Sequence, residues 1–149
     1  IYDRWAFNHN VPEEEQHRYR DNLKIAAKFH DVGKVGISDV ILKKSFPRFT
    51  EEERNIMKGH TCIGAQLFDP PESFLDEMSQ EIALHHHDRW DGGEMGYPGN
   101  IDLNTFSIKN GVVPNSVPLK GNEIPLSARI VAVADVFDAL SHKRCYKES

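Results

Sequence analysis

Cysteine is nearly absent: Cys62 and Cys145 are the only two in 149 residues, and neither sits in a Cys-x-x-Cys pair. That excludes a disulfide scaffold and a thiolate metal knuckle, and makes a reducing, cytoplasmic setting the simplest expectation. No stretch approaches the roughly 18 consecutive apolar residues that mark a membrane helix. The first residues lack the apolar core and small-residue cleavage site of a secretory signal. Basic residues are in deficit, with 18 Lys and Arg against 23 Asp and Glu, a net charge of −5. A protein that grips long nucleic acid by its phosphates usually carries the opposite sign. A small phosphorylated ligand stays open, because bound metal ions supply local positive charge whatever the global sign. There is no internal repeat and no low-complexity segment, and the length suits one domain with its own core.

What is present reads as helix. Pro12 followed by Glu13, Glu14 and Glu15 is a helix start, since proline suits the first turn and carboxylates there favour the dipole. Leu23, Ala26, Ala27 and Phe29 carry an apolar stripe up to His30, and Gly33 and Gly36 then break it. Thr50 and Glu53 form a capping box opening a helix through Met57 to about His60. A further helix is expected through Ile63 and Leu67 to Phe68, stopped by Pro70-Pro71, and another from Leu75 to His87. Pro125 opens the last long helix, where Ile130, Val133, Ala134, Phe137 and Leu140 recur at helical spacing. Residues 1–11 show no clear periodicity. Residues 99–122 differ, being rich in Asn, Gly, Pro and Ser. Within them Thr105–Ile108 and Val112-Val113 flank Asn110-Gly111, a two-residue hairpin signal. The expected class is therefore all-α, a helical bundle with a small β-hairpin insertion near residues 105–113.

Eight histidines are present, and their positions matter more than their number. Potential metal donors fall at His30-Asp31, His60, His86-His87, Asp88 and Asp135. Imidazoles mixed with carboxylates suit iron, manganese or zinc rather than calcium or magnesium. Two neighbouring ions can share a water, lower its pKa and clamp a phosphate, with an Asp whose two oxygens face two metals as a natural bridge. Taken singly, each residue has a plainer reading: a lone histidine is more often structural or exposed, and a run of three arises by chance.

The joint order is far more specific. His30-Asp31-Val32-Gly33-Lys34 is followed by Gly36-Ile37-Ser38-Asp39, then His60 and Gly64, then His86-His87-Asp88-Arg89-Trp90-Asp91-Gly92, then Gly96-Tyr97-Pro98. The stretch Ile124–Leu140 with Asp135 closes it. This set resembles the HD-GYP family of metal-dependent phosphohydrolases, across roughly residues 22 to 149. The resemblance implies an HD-domain helical bundle holding two, in some members three, divalent ions, often iron or manganese. It implies hydrolysis of cyclic di-GMP to linear pGpG and in some members on to GMP, in bacterial second-messenger signalling. Carried over by position, it implies metal ligands at His30, Asp31, His60, His86, His87 and Asp135, with Asp31 as bridge and catalytic residue. It implies a catalytic, phosphate-facing role for Lys34, and substrate phosphate contacts at Arg144 and Lys147. His85 falls out of register and reads as structural or exposed. Asp138, one turn beyond Asp135, reads equally as support for the site or as an ordinary helix-end charge. The Gly-Tyr-Pro loop implies signalling-protein partners.

The sequence departs from the family in three ways. A further histidine ligand one helix upstream of the His-Asp pair would fall at or before Ile1, and helices beyond Lys147 are missing. Residues 1–149 are therefore expected to be a single HD-GYP domain, incomplete at both ends and part of a longer chain. Three residues separate Asp91-Gly92 from Gly96-Tyr97-Pro98, more than the family has, and residues 99–118 look inserted. A lid over the site and an inert surface loop are both open for that insertion. Two other functions stand beside the phosphodiesterase: a catalytically silent cyclic-dinucleotide sensor or protein-interaction module, and a hydrolase acting on another nucleotide.

Overall fold

The computed structural model describes residues 1–44, 48–107 and 116–141. The α-helices are α1 (Tyr2–Asn8), α2 (Glu13–Ala26), α3 (Asp39–Leu42), α4 (Glu51–Lys58), α5 (His60–Gln66), α6 (Phe74–His85) and α7 (Leu126–Ser141). Short 3-10 turns cover Ala27–Phe29, Val32–Gly36, Leu103–Thr105 and Gly121–Glu123. The helical class read from the sequence is borne out. None of these helices is long and apolar enough to cross a membrane.

The starts follow local chemistry. Pro12 stands just before α2, whose first turn carries Glu13, Glu14 and Glu15. Thr50 accepts the Glu53 amide while the Glu53 carboxylate takes the Thr50 amide, so the capping box is present. Ser38 and Ser73 cap α3 and α6 by accepting amides two and three residues on. Gly59 separates α4 from α5 by a tight turn that keeps helical φ and ψ.

Helix α6 is the spine, packing against α5, α2 and α7. Its Met78 and Ile82 join Tyr2, Ala6, Leu23, Ala26 and Val131 in one apolar cluster. Its Leu84 joins Ile37, Ile41, Cys62, Ile63, Ala65 and Phe106 in a second. The C-terminal end of α6 therefore emerges between two cores, and the His85–His87 run is held there.

Three expectations need correction. Residues 1–11 hold helix α1, which the sequence pattern did not show. Only Tyr2 and Ala6 are buried on it, and Tyr2 is held by stacking on Tyr19, 4.4 Å between centroids. Helix α7 buries Ser127, Ala128 and Val131, whereas Val133, Phe137 and Leu140 are exposed. The apolar cluster in which Val131 sits draws on α1, α2 and α6 and meets the first half of α7.

The third concerns the hairpin. Its turn and second strand lie outside the described residues, but its first strand is not formed where expected. Thr105 instead ends the 3-10 turn Leu103–Thr105, because Asp102 accepts the Asn104 amide and the Thr105 hydroxyl donates to the Asp102 carbonyl. Among the described residues the only β pairing is a single antiparallel bridge, Asn100 to Val117, at the base of the insertion. The insertion is also rooted. Phe106 is 5% exposed within the second core, and Gln66 donates to the Leu103 and Phe106 carbonyls. Burying such a ring is worth about 1.5–3 kcal/mol, so the arm from Ile101 to Phe106 is part of the body.

Candidate metal centre

The donors stand at helix ends, where chain direction changes and backbone carbonyls are left without helical partners. His30 caps the 3-10 turn Ala27–Phe29, and Asp31 opens the next turn. His60 is the first residue of α5, and His86 follows the last residue of α6. Each of these three histidines turns its Nδ1 back onto a carbonyl three or four residues earlier. His30 Nδ1 meets Ala27 O at 2.8 Å, His60 Nδ1 meets Met57 O at 2.7 Å, and His86 Nδ1 meets Ile82 O at 2.9 Å. Carbonyls accept only, so each Nδ1 carries a proton; His60 and His86, whose pKa values burial lowers, present the Nε2 lone pair inward, whereas His30 Nε2 faces the Asp31 carboxylate. That is how protein scaffolds orient metal-binding imidazoles.

What the inward atoms face decides the chemistry. His60 Nε2 and His86 Nε2 are 3.5 Å apart, and Asp31 Oδ1 lies 3.4 Å from the first and 3.9 Å from the second. Three acceptors thus converge with no proton between them, an arrangement that a cation relieves. Asp31, His60, His86 and His87 each offer a donor atom, all within 4.8 Å of one another. Two atoms bound to one ion at about 2.0–2.2 Å are at most about 4.4 Å apart, so the four fit a metal with little adjustment. The second oxygen of Asp31 looks the other way. Oδ2 is 3.3 Å from His30 Nε2 and 2.5 Å from Lys34 Nζ. Asp135 Oδ1 approaches His30 Nε2 at 3.9 Å from α7. His30, Asp31, Asp135 and Asp138 line a groove of about 480 Å³ between α7 and the end of α2.

The family model for the HD domain matches residues 11–140. The chain belongs to the HD domain family. It is 42% identical over 127 residues to the cyclic di-GMP phosphodiesterase response regulator RpfG of Xanthomonas campestris pv. campestris, covering 85% of this chain and 28% of that protein. It is 43% identical over 125 residues to a cyclic di-GMP phosphodiesterase of Thermotoga maritima, 84% of this chain and 28% of that one. It is 39% identical over 128 residues to the 3′3′-cGAMP-specific phosphodiesterase 2 of Vibrio cholerae, 86% of this chain and 20% of that one. The chain thus spans 20 to 28% of the length of these relatives. The family read from the sequence motifs is borne out.

Protonation in this HD domain is set by burial and by Asp31. Burial, reinforced by neighbouring imidazoles, pushes His86 down to about 3 and His87 to about 4. Burial also lowers His60. These three rings are therefore neutral near pH 7, the form that ligates. Burial opposes ionisation of Asp31, but the adjacent His30 and Lys34 outweigh it and hold the carboxyl well below the usual range. His30 is raised, chiefly by its contact with Asp31.

Acid should therefore unfold the metal-free protein early. Unfolded histidines protonate near pH 6.5, whereas His86 and His87 resist until about 3 and 4. Between those values the unfolded chain binds more protons, so stability falls as pH drops from about 6.5 toward 4. His30 acts oppositely, its contribution being complete below its unfolded pKa and lost as pH rises through its raised folded value. Three groups outweigh one, so the melting temperature of metal-stripped protein should fall steadily between pH 7 and 5. A flat profile there would contradict the buried neutral histidines.

Of the remaining sequence candidates, Arg144 and Lys147 lie outside the described residues. Asp88 is not among the converging donors. Its side chain is fully buried, with Oδ2 on His85 Nδ1 at 2.7 Å and Oδ1 on the Gly99 amide at 2.9 Å. It ties α6 to the far end of the Gly-Tyr-Pro loop, and it gives His85 the structural place expected of it. Tyr97 belongs to the Gly-Tyr-Pro motif read from the sequence, whereas its neighbour Lys58 was not singled out. The Tyr97 ring lies against His87 at 4.7 Å, and Lys58 Nζ is 5.4 Å from the centre of that ring. No spacing rule links residues 58, 87 and 97; only the folded loop brings them together.

Proposed function

We propose that this chain is a metal-dependent phosphodiesterase that opens cyclic di-GMP to linear pGpG, with further cleavage to GMP as a second step. The observation that supports it most is the convergence of three acceptors, Asp31 Oδ1 and the Nε2 atoms of His60 and His86, within 3.9 Å of one another. In this reading His30, Asp31, His60, His86, His87 and Asp135 hold two divalent ions, with iron or manganese favoured by the mixed imidazole and carboxylate donors. Asp31 would serve both ions, its Oδ1 facing His60 and His86 and its Oδ2 facing His30. The ions supply Lewis acidity, lowering the pKa of water and drawing charge from the phosphodiester. The protein residues do the rest. The carbonyl-anchored imidazoles fix the donor geometry before substrate arrives. Lys34, its side chain 43% exposed, neutralises Asp31 and reaches toward a non-bridging phosphate oxygen. Arg144 and Lys147 hold the phosphates, a guanidinium fork and an ammonium both suiting a diester anion. The groove between His30 and Asp138 takes part of the dinucleotide, and the Gly-Tyr-Pro loop is the surface for signalling partners.

One relative named for 3′3′-cGAMP at 39% identity supports a second reading, a different cyclic dinucleotide as substrate. Both are tested together. The chain is loaded anaerobically with ferrous iron or manganese, given cyclic di-GMP or 3′3′-cGAMP, and the nucleotides are separated by chromatography, with a chelator-treated control. Linear pGpG from cyclic di-GMP, absent with chelator, is the expected result. Turnover of 3′3′-cGAMP alone would favour the second reading. Intact nucleotides with metal bound would leave the silent sensor.

A further inference from the structure

His87 differs from the other histidines of the cluster. His30, His60 and His86 are each aimed by a hydrogen bond from Nδ1 to a carbonyl. The His87 ring makes no hydrogen bond among the described residues; on the cluster side it packs against His86, centroids 4.1 Å apart, and edge-on against His60 at 5.3 Å. Its orientation comes from ring packing. Tyr97 stacks on it with centroids 4.7 Å apart and planes 28° from parallel. The Tyr97 ring also meets His60 edge-on at 6.3 Å.

The loop is built to hold that ring in place. The Tyr97 amide donates to the His87 carbonyl at 3.3 Å. Asp88 holds the Gly99 amide just beyond. At Gly96 a Cβ would stand 2.9 Å from the Arg89 amide nitrogen, so only glycine lets the chain fold this closely over the histidine segment. Burial pushes the Tyr97 phenol above its ordinary range, and its hydroxyl makes no hydrogen bond among the described residues.

We infer that Tyr97 is a positioning residue for the metal centre, its ring aiming His87 in place of the carbonyl bond that aims the other three. Loop placement and metal affinity are thereby coupled, because displacement of the loop uncovers the one face of the His87 ring that the other histidines of the cluster do not hold. This rests on the metal centre proposed above.

The test is metal affinity, measured on the full chain by competition with a chromophoric chelator for manganese and for cobalt(II), with the cobalt absorption spectrum as a second readout. Y97F keeps the ring and should bind within about twofold of the parent. Y97L fills space without an aromatic face and should bind about 10–100-fold more weakly, the usual scale for losing a group that orients a ligand, with altered cobalt bands. The thermal melt of each metal-free protein reports folding separately. Y97L folded and binding like the parent would overturn the inference. So would Y97F weakened as far as Y97L, since the hydroxyl would then be the operative group, and that arm holds even if Y97L fails to fold. H86A distinguishes this from failure of the centre itself: parent-like binding by H86A would mean that the metal sits elsewhere.

Discussion

Asp31→Ala is expected to lose metal binding and, with it, the proposed phosphodiesterase turnover while remaining helical. Asp31 is the carboxylate in the group of four converging donors, and its two oxygens serve opposite sides, Oδ1 toward His60 and His86 and Oδ2 toward His30 and Lys34. Alanine removes the anion and leaves the Lys34 ammonium, whose charge is felt at His60 and His87, without its carboxylate partner, which disfavours a cation where the parent attracts one. Turnover should fall about a thousandfold or more, the scale of losing several kcal/mol of transition-state charge stabilisation. Asp31→Asn keeps the volume and loses only the charge, so it should follow alanine in metal content and the parent in folding. A second consequence is specific to the arrangement. His30 is raised chiefly by Asp31, so its titration, followed by NMR in metal-free protein, should move down in both variants. Parent-like metal stoichiometry and turnover in either variant would defeat the proposed centre.

The sequence was most informative where chemistry is local. The capping box at Thr50 and Glu53 needs only four residues, and Pro12 with three glutamates needs only one turn. The candidate donors stood out for another reason: His-Asp pairs and glycines stand in an order that one resemblance accounts for, and the structure does bring His60, His86 and His87 to Asp31. The illegible parts depend on distant partners. Helix α1 is two turns long and owes its burial to Tyr19 on another helix. The apolar residues of α7 keep helical spacing, yet spacing cannot say which half of a helix meets a core. Asp88 sits directly after the histidine pair and reads as one more donor, but the fold aims it at His85 and the Gly99 amide. Thr105 has strand propensity and an Asn-Gly turn nearby, but the Asp102 cap and the burial of Phe106 decide its conformation.

Gly33→Ala should be among the most damaging small substitutions in the chain, although it adds one methyl group to a residue that contributes no side chain to the site. A Cβ at position 33 would lie 1.9 Å from the His60 carbonyl oxygen, 2.4 Å from the Gly64 nitrogen and 2.9 Å from its Cα. All three are backbone atoms of α5, so no rotamer change relieves the clash; the turn Val32–Gly36 must part from the helix. That turn begins immediately after Asp31, and α5 begins at His60, so the separation acts on the distance from Asp31 Oδ1 to His60 Nε2, 3.4 Å in the parent. Overpacking of this kind costs about 3 kcal/mol or more when backbone must move, a fall of roughly 10 °C in melting temperature for a chain of this size. Metal affinity should fall with it, because the displaced pair are both donors. Gly36→Ala is the control: three residues on in the same turn, its Cβ would meet only the Ile63 side chain, at 3.0 Å, which can shift. Differential scanning calorimetry and chelator competition on the two variants separate the cases. Comparable losses from both would mean that any substituent in the turn is disruptive and that close approach to α5 at Gly33 is not what holds Asp31 against His60.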